Sequence, residues 1–217
     1  LTQKPAKAQM GGAGSMAFSV DGRMLAFVWD EGTKTALRTI RIDGGEDRTL
    51  GRFESIGRAS LSWSPAGTLL AALRDPGGTT RVISVDPRTG SRAEVLDTRG
   101  REAWRMEHSP DGAFFAFDEL QSINGVHRRQ VYVAPAGGGD ALRLLDHGDN
   151  DSLLGWTREG ILFACARTGE IDAWLAPVTS GKLAGEPRLI MKGLGEVTPV
   201  GVTSGGDLHF VRRTAMM

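Results

Sequence analysis

The densest group of potential metal ligands in this chain is an acidic segment at positions 146–151. It holds Asp146, Asp149 and Asp151, with His147 and Asn150 between them. Calcium is bound by several oxygen ligands, and carboxylate and amide oxygens are among those it takes. The EF-hand spacing is not met, so a solvated polar loop is the simpler interpretation. We therefore predict no metal site, and Asp146, Asp149 and Asp151 are the candidates if one exists.

A second set of side chains could contact a ligand or a partner. His127-Arg128-Arg129 forms a short basic run, and the stretch that ends on it begins at Asp118. We expect this stretch to be one of the longest loops between neighbouring strands, and binding residues concentrate in such loops. His108 and Asp118, with Asp146, are the residues to substitute first if the chain proved to be catalytic.

Several kinds of chemistry are excluded by the sequence. No G-x-S-x-G motif marks a serine nucleophile, and no glycine-rich loop precedes a Lys-Ser/Thr pair that would hold a phosphate. Cys165 lies inside an apolar run without a cationic neighbour before Arg167, so we expect a buried, unreactive thiol. These patterns predict a chain that is not an enzyme and needs no cofactor.

Charge and hydropathy narrow the range of partners. The chain has 26 Lys and Arg residues against 26 Asp and Glu residues, so its formal net charge is zero. Nucleic-acid-binding proteins usually show a basic excess or a basic stripe, and we predict no binding to nucleic acid. No run approaches the ~18 apolar residues of a membrane-spanning helix. A protein or a peptide is therefore the expected partner.

The candidate residues are distributed over an internal repeat. Its signature is an aromatic residue or His, then Ser or Thr, two variable residues and Gly, in four clear copies and one degenerate copy. The final glycines are 45, 45, 48 and 46 positions apart. The copies begin at Phe18, Trp63, His108, Trp156 and Val202. A fixed period of this size indicates a repeat architecture.

Each full copy contains four short apolar, β-branched or aromatic runs separated by Gly, Pro and Asp. These runs are too short for buried helices, and no segment shows a sustained helical period. Four short antiparallel strands per ~45 residues are typical of a β-propeller blade. The sequence predicts an all-β propeller domain with blades at about 15–50, 59–96, 104–145 and 152–191, and an incomplete blade at 197–211.

The first position of the signature is predicted to pack between blades. Phe18, Trp63 and Trp156 share this repeat position, so we interpret them as interface residues and not as ligand-binding aromatics. His108 has the same position in the third copy. Its simplest interpretation is a packed or partly solvated imidazole that is bonded to a neighbouring blade.

The repeats resemble those of a known family. Ser-Pro-Asp-Gly at 109–112 followed by Phe-Phe-Ala-Phe at 114–117 is similar to the WD40-like repeats of TolB-type propellers, as is the run 18–27. Similar blades occur in the propeller domains of prolyl-oligopeptidase-type and tricorn-type peptidases. The resemblance covers about residues 15–211. It implies the fold, slightly favours a periplasmic or extracytoplasmic location, and leaves the activity open because one fold serves many functions.

Two arrangements fit this resemblance. The chain is either part of a larger propeller, with residues 1–14 as the tail of a preceding blade, or a five-bladed ring that residues 1–14 close. We favour the first arrangement because 1–14 is a poor strand former. Uncovered blade edges in a part of a larger propeller would favour self-association.

The function expected from these observations is a non-catalytic binding or scaffold module that recognises a protein or peptide through loops at one end. Two alternatives stay open. The chain could be an accessory propeller that gates substrate to a larger serine peptidase or hydrolase. It could also be a five-bladed propeller that binds a small ligand such as a sugar on its axis.

Overall fold

The computed structural model describes residues 9–10, 16–32, 34–55, 59–98, 102–123, 126–146, 150–203 and 205–212. These residues form β-strands joined by turns, and no helix occurs among them. Positive-φ glycines close the turns after the signature serines, as at Gly22, Gly67 and Gly112. The prediction of an all-β propeller built from four-stranded antiparallel blades is confirmed, because consecutive copies form consecutive sheets.

The strands follow the repeats from the inner edge of each blade outwards. Blade 1 holds β1 (Gln9–Met10), β2 (Met16–Phe18), β3 (Met24–Asp30), β4 (Thr35–Arg41) and β5 (Asp47–Phe53). Blade 2 holds β6 (Ala59–Trp63), β7 (Leu69–Arg74), β8 (Thr80–Val85) and β9 (Arg92–Asp97). Blade 3 holds β10 (Glu102–His108), β11 (Phe114–Ile123), β12 (Val126–Pro135) and β13 (Leu142–Arg143).

Blades 4 and 5 follow along the chain. Blade 4 holds β14 (Ser152–Thr157), β15 (Gly160–Cys165), β16 (Asp172–Ala176) and β19 (Arg188–Met191). A small extra hairpin, β17 (Val178–Thr179) and β18 (Lys182–Leu183), is inserted before β19. Blade 5 holds β20 (Val197–Val202) and β21 (Leu208–Arg212). β1 and β2 both pair with β3, so Gln9–Met10 adds to the inner edge of blade 1.

The hydrophobic core lies between the blades. Separate clusters of buried side chains fill the interfaces of blades 1 and 2, 2 and 3, 3 and 4, and 4 and 5. The second strand of each full blade contributes apolar side chains to both of its faces, as expected for a sheet covered on both sides. At the last interface, a Cβ on Gly155 would lie 2.2 Å from Cγ2 of Val202, so only glycine allows this approach.

The packing prediction for the signature position is met at some blades and not at blade 1. Trp63 is buried between blades 1 and 2, and its indole N–H donates to the carbonyl oxygen of Ala17 at 3.0 Å. Trp156 is half-buried against the core between blades 3 and 4. Phe18 is 62% exposed. Phe18 pairs with Leu25 and lies on the face of blade 1 that is turned away from blade 2.

The stretch from Asp118 to Arg129 is not a loop. β11 and β12 pair continuously from Phe114–Pro135 to Ile123–Val126, so the stretch is the outer part of a long hairpin. Each strand has ten residues, against six in the corresponding strands of blade 2. We call residues 118–123 and 126–131 the blade 3 hairpin. The loop prediction is wrong because backbone pairing continues through polar residues that an apolar pattern does not mark.

Candidate functional site

An open cleft lies between blades 1 and 2, at the end of the molecule that carries the signature turns. Its volume is about 540 Å³. The first signature turn, including Val20 and Asp21, forms one side, and the second, including Pro65 and Ala66, forms another. Blade 1 contributes residues of β4 and β5, and the β8–β9 turn contributes Pro87.

Apolar groups line much of this cleft. Val20, Met24, Pro65 and Pro87 reach it from two blades, and Trp63 forms part of its wall. The bond from the Trp63 indole to the backbone of blade 1 fixes the ring in one orientation. Rigid apolar walls with few rotatable bonds reduce the entropy lost when a ligand binds.

Charged groups of both signs surround the apolar part. Arg41, Arg48 and Arg88 line the cleft together with Asp21 and Glu46. Arg48 is held in place because Nη1 donates to two carbonyl oxygens of the β8–β9 turn, at 2.8 and 2.6 Å. The Ser19 hydroxyl and the Arg23 backbone N–H hold the pKa of Asp21 below its ordinary value. The arrangement offers fixed donors and acceptors around an apolar surface.

The hydroxyls of the two serines that line the cleft form hydrogen bonds within their own turns. Ser19 Oγ donates to Asp21 at 2.6 Å and accepts the N–H of Met24 at 2.9 Å. Ser64 Oγ accepts the N–H of Thr68 at 3.0 Å. Both hydroxyls therefore stabilise the turns that shape the cleft.

Asp118 is the centre of a buried polar cluster between blades 3 and 4. Its carboxylate accepts the backbone N–H groups of Arg105 at 2.9 Å and Leu153 at 3.3 Å. Arg129 Nη1 lies 3.1 Å from the same carboxylate. Burial raises the pKa of Asp118, and the charge of Arg129 and these backbone bonds oppose the rise.

Arg129 connects this carboxylate to the acidic segment. Its guanidinium stacks on Trp104, 4.5 Å from the ring centroid. Its backbone N–H donates to Oδ1 of Asn150 at 2.6 Å, and its carbonyl accepts the N–H of Asp151 at 2.9 Å. The structure thus brings together Asp118, Arg129 and the end of the segment 146–151, which the sequence presents as separate candidates.

The remaining predicted partner-binding residues lie apart from this cluster. His127 and Arg128 are exposed near the end of the blade 3 hairpin. His108 lies between blades 2 and 3, where Ser62 Oγ is 3.0 Å from Nδ1 and accepts the His108 backbone N–H at 3.1 Å. Burial lowers the pKa of His108 to about 4. The imidazole is therefore neutral at pH 7 and acts as part of the interface.

The predicted metal candidates are in different environments. Asp146 is fully exposed and lies 3.4 Å from Arg143, whereas Asp151 is buried. Asp149 and His147 lie outside the described residues. Within the described ranges, no group of three or more His, Cys, Asp or Glu side chains is placed to hold a metal ion. Cys165 is buried in the core between blades 3 and 4, as its sequence context predicts.

One polar contact crosses from blade 3 to blade 5. Arg105 Nη1 donates to the carbonyl oxygen of Pro199 at 2.9 Å, and Nη2 lies 2.6 Å from Glu107. Burial raises the pKa of Glu107, and the Arg105 charge opposes the rise. Neither this contact nor the cleft is predicted by the sequence, because each joins residues of different repeats.

Comparisons with known proteins show the fold. No family model matches the chain, and no curated protein matches it. The structure of TolB from Acinetobacter baumannii is similar at a TM-score of 0.65 and 16% identity, over 91% of this chain and 46% of that one. A prolyl endopeptidase is similar at a TM-score of 0.63 and 16% identity, over 91% of this chain and 30% of that one.

A third structure gives the same result. Prolyl oligopeptidase B from Galerina marginata is similar at a TM-score of 0.59 and 11% identity, over 90% of this chain and 30% of that one. The chain therefore spans less than half the length of these three proteins. The predicted resemblance to TolB-like and peptidase propellers is confirmed at the level of the fold. Among the described residues, no helix is both long and apolar enough to cross a membrane.

Proposed function

We propose that this chain is a non-catalytic binding module that recognises a protein or peptide in the cleft between blades 1 and 2. The observation that carries the proposal is the composition of that cleft. Interfaces that bind proteins combine apolar anchor sites with arginines and a polar rim. The cleft has the same combination, with Trp63 and two prolines beside arginines and carboxylates.

The use of the cleft's serines supports a binding role over a hydrolytic one. A serine nucleophile needs a free hydroxyl next to a general base. Ser19 and Ser64 instead have their hydroxyls bonded within their own turns, and no histidine is among the described residues that line the cleft. The neutral, buried His108 contacts Ser62 in the neighbouring interface and supports packing there.

The proposal is tested by selecting binders from a random peptide library displayed on phage, with the purified chain as target. Ala66 lies exposed in the second signature turn, so Ala66→Trp should fill the cleft without disturbing the core. We expect selected peptides to bind the Ala66→Trp variant at least about tenfold more weakly than the wild type, a change of about 1.4 kcal/mol. Fluorescence anisotropy with labelled peptides measures the difference.

Ala113→Trp is the matched control, because Ala113 is exposed beside the corresponding turn of blade 3 and does not line the cleft. It should bind the selected peptides as the wild type does. Equal binding by all three proteins would contradict a site in the cleft. Turnover of a peptide or ester substrate that is lost in an Asp118→Asn variant would contradict a non-catalytic role.

A second candidate is an accessory propeller of a larger serine peptidase. The similarity to two prolyl peptidases, each about three times longer than the region matched, favours it. A hydrolase domain with a G-x-S-x-G motif encoded in the same gene would decide for this candidate. The cleft would then face substrate entering the peptidase and not a stable partner.

A further inference from the structure

The cleft between blades 1 and 2 contains one arginine whose charge is not offset by a carboxylate of the described chain. Arg41 forms an ion pair with Asp43 at 2.5 Å. Arg88 forms one with Asp86 at 3.4 Å. Arg48 lines the same cleft, and among the described residues it has no carboxylate partner. The positive charge of Arg48 is therefore available to a bound molecule.

The two carboxylates that line the cleft do not change this balance. Asp21 accepts the Ser19 hydroxyl at 2.6 Å and the Arg23 backbone N–H at 3.0 Å, so it is held by its own turn. Glu46 is exposed to solvent. Neither forms an ion pair with Arg48. An acidic group of a partner is the complement that the region around Arg48 lacks.

The guanidinium of Arg48 is fixed by backbone groups and keeps one edge open. Its Nη1 donates to the carbonyl oxygens of Pro87 and Arg88, at 2.8 and 2.6 Å. Nε and Nη2 have no hydrogen-bond partner in the described part of the chain. These two nitrogens form the edge of a guanidinium that can bind a carboxylate through two parallel hydrogen bonds. The side chain is half-buried, which reduces the screening of its charge by salt.

Apolar groups of both blades surround this arginine. Thr39, which lies opposite Arg48 in the β4–β5 ladder, is buried, and Met24 belongs to the same wall of the cleft. Trp63 and Pro87 face them from blade 2. A carboxylate that reached Arg48 would therefore belong to a segment whose neighbouring residues contact apolar surface.

The cleft is open because the third and fourth strands of blade 2 are joined by a short turn. In blade 4 the same connection carries the β17–β18 hairpin, and a Cβ on Gly181 at its tip would lie 2.6 Å from Cε1 of Phe114 in blade 3. Phe114 follows the third signature turn as Met24 follows the first. Met24 instead lines the cleft. The opening thus lies between two four-stranded blades and results from the length of one turn.

We infer that the protein or peptide segment bound in this cleft presents an Asp or Glu side chain to Arg48, with apolar residues on either side of the acidic one. The inference rests on the function proposed above and adds the chemistry of the partner. Bidentate bonds between arginine and a carboxylate are roughly twice as strong as neutral hydrogen bonds. Because the guanidinium is already oriented, little of its freedom is lost on binding.

The test uses synthetic peptides with the sequences selected from the phage library, amidated so that no terminal carboxylate is present. Each acidic peptide is paired with a version that carries Gln in place of Glu, or Asn in place of Asp. We expect the wild type to bind the acidic member at least about tenfold more tightly, because hydrogen bonds to charged groups are the stronger ones. Fluorescence anisotropy measures both affinities, and this comparison requires no variant.

Arg48→Gln should reduce the preference for the acidic member to less than about threefold, because the fork that binds the carboxylate is lost. The preference is a ratio of two affinities on one protein, so a smaller folded fraction of the variant does not alter it. Arg23→Gln is the matched control. Arg23 is exposed beside the first signature turn and does not line the cleft, so the same change of charge should leave the preference as in the wild type.

The inference is overturned if the selected peptides carry no acidic residue, or if the wild type binds both members of each pair equally. It is also overturned if Arg23→Gln lowers the preference as much as Arg48→Gln does. Each of these results leaves the cleft as the binding site, provided that Ala66→Trp still weakens binding. If Ala66→Trp has no effect, the proposed function fails and this inference fails with it.

Discussion

Blade 3 makes two interfaces that are built from different chemistry. Towards blade 2, backbone N–H groups of β10 donate to serine hydroxyls, with Met106 bonded to Ser60 at 2.9 Å and His108 to Ser62. Towards blade 4, the carboxylate of Asp118 accepts the backbone N–H of Leu153 and is paired with Arg129. Both interfaces satisfy buried backbone donors, but only the second does so with a charged group.

This difference determines how each interface responds to change. Removing a neutral hydroxyl costs the hydrogen bonds that the hydroxyl makes. A buried carboxylate leaves a cation and backbone donors without partners when it is removed. The response to pH also differs. The neutral interface, towards blade 2, contains an imidazole that must stay uncharged, so protonation destabilises that interface. The two faces of one blade therefore have separate sensitivities to mutation and to pH.

The largest effect is expected for Asp118→Ala. Its removal leaves Arg129 and the N–H groups of Arg105 and Leu153 without their acceptor. We expect a loss of about 3–5 kcal/mol in the free energy of unfolding, measured by urea denaturation. Glu159→Ala, which removes the exposed partner of Arg188, should change stability little. A small effect of Asp118→Ala would contradict the charged interface.

The next effect concerns pH and His108. Because its folded pKa of about 4 lies below the ordinary value of 6.5, the unfolded chain binds a proton first as the pH falls. Stability from this residue is complete above pH 6.5 and is lost between pH 6.5 and 4, by about 3 kcal/mol. Urea denaturation across this range should show the slope, and His108→Gln should reduce it. If the slope were unchanged in His108→Gln, other titrating groups would be responsible for the pH dependence.

The smallest effect is expected for Ser62→Ala. The variant leaves the His108 N–H and Nδ1 without the hydroxyl that both contact. We expect a loss of about 1–3 kcal/mol in the free energy of unfolding. Ser91→Ala, at an exposed position of the same blade, should lie within about 0.5 kcal/mol of the wild type. If Ser62→Ala cost as much as Asp118→Ala, charge would not explain the difference between the two interfaces.

The fold could be predicted because its signals are local and repeated. Each signature turn carries a positive-φ glycine and each second strand an apolar run, and five copies reinforce one another. One local signal was missed. Asn124-Gly125, between the paired residues Ile123 and Val126, is the dipeptide typical of a two-residue hairpin. It would have predicted the blade 3 hairpin in place of a loop.

The sites could not be predicted in the same way. The partners of Asp118 come from three strands of two blades, and no spacing in the chain encodes that meeting. Phe18 is exposed, whereas Trp63 at the same position of the signature is buried in an interface. Repeats therefore predict a position in the blade, and the neighbouring blades decide whether that position is core or surface.

The contact between Arg105 and the carbonyl of Pro199 has a consequence for how the sequence can vary. The acceptor is a main-chain oxygen, so the connection between blades 3 and 5 does not depend on which side chain stands at position 199. Only the donor, the guanidinium of the long Arg105 side chain, requires a particular residue type. Among related chains, Arg105 should change rarely while the residue at position 199 varies freely, so this contact should not appear as a pair of covarying positions.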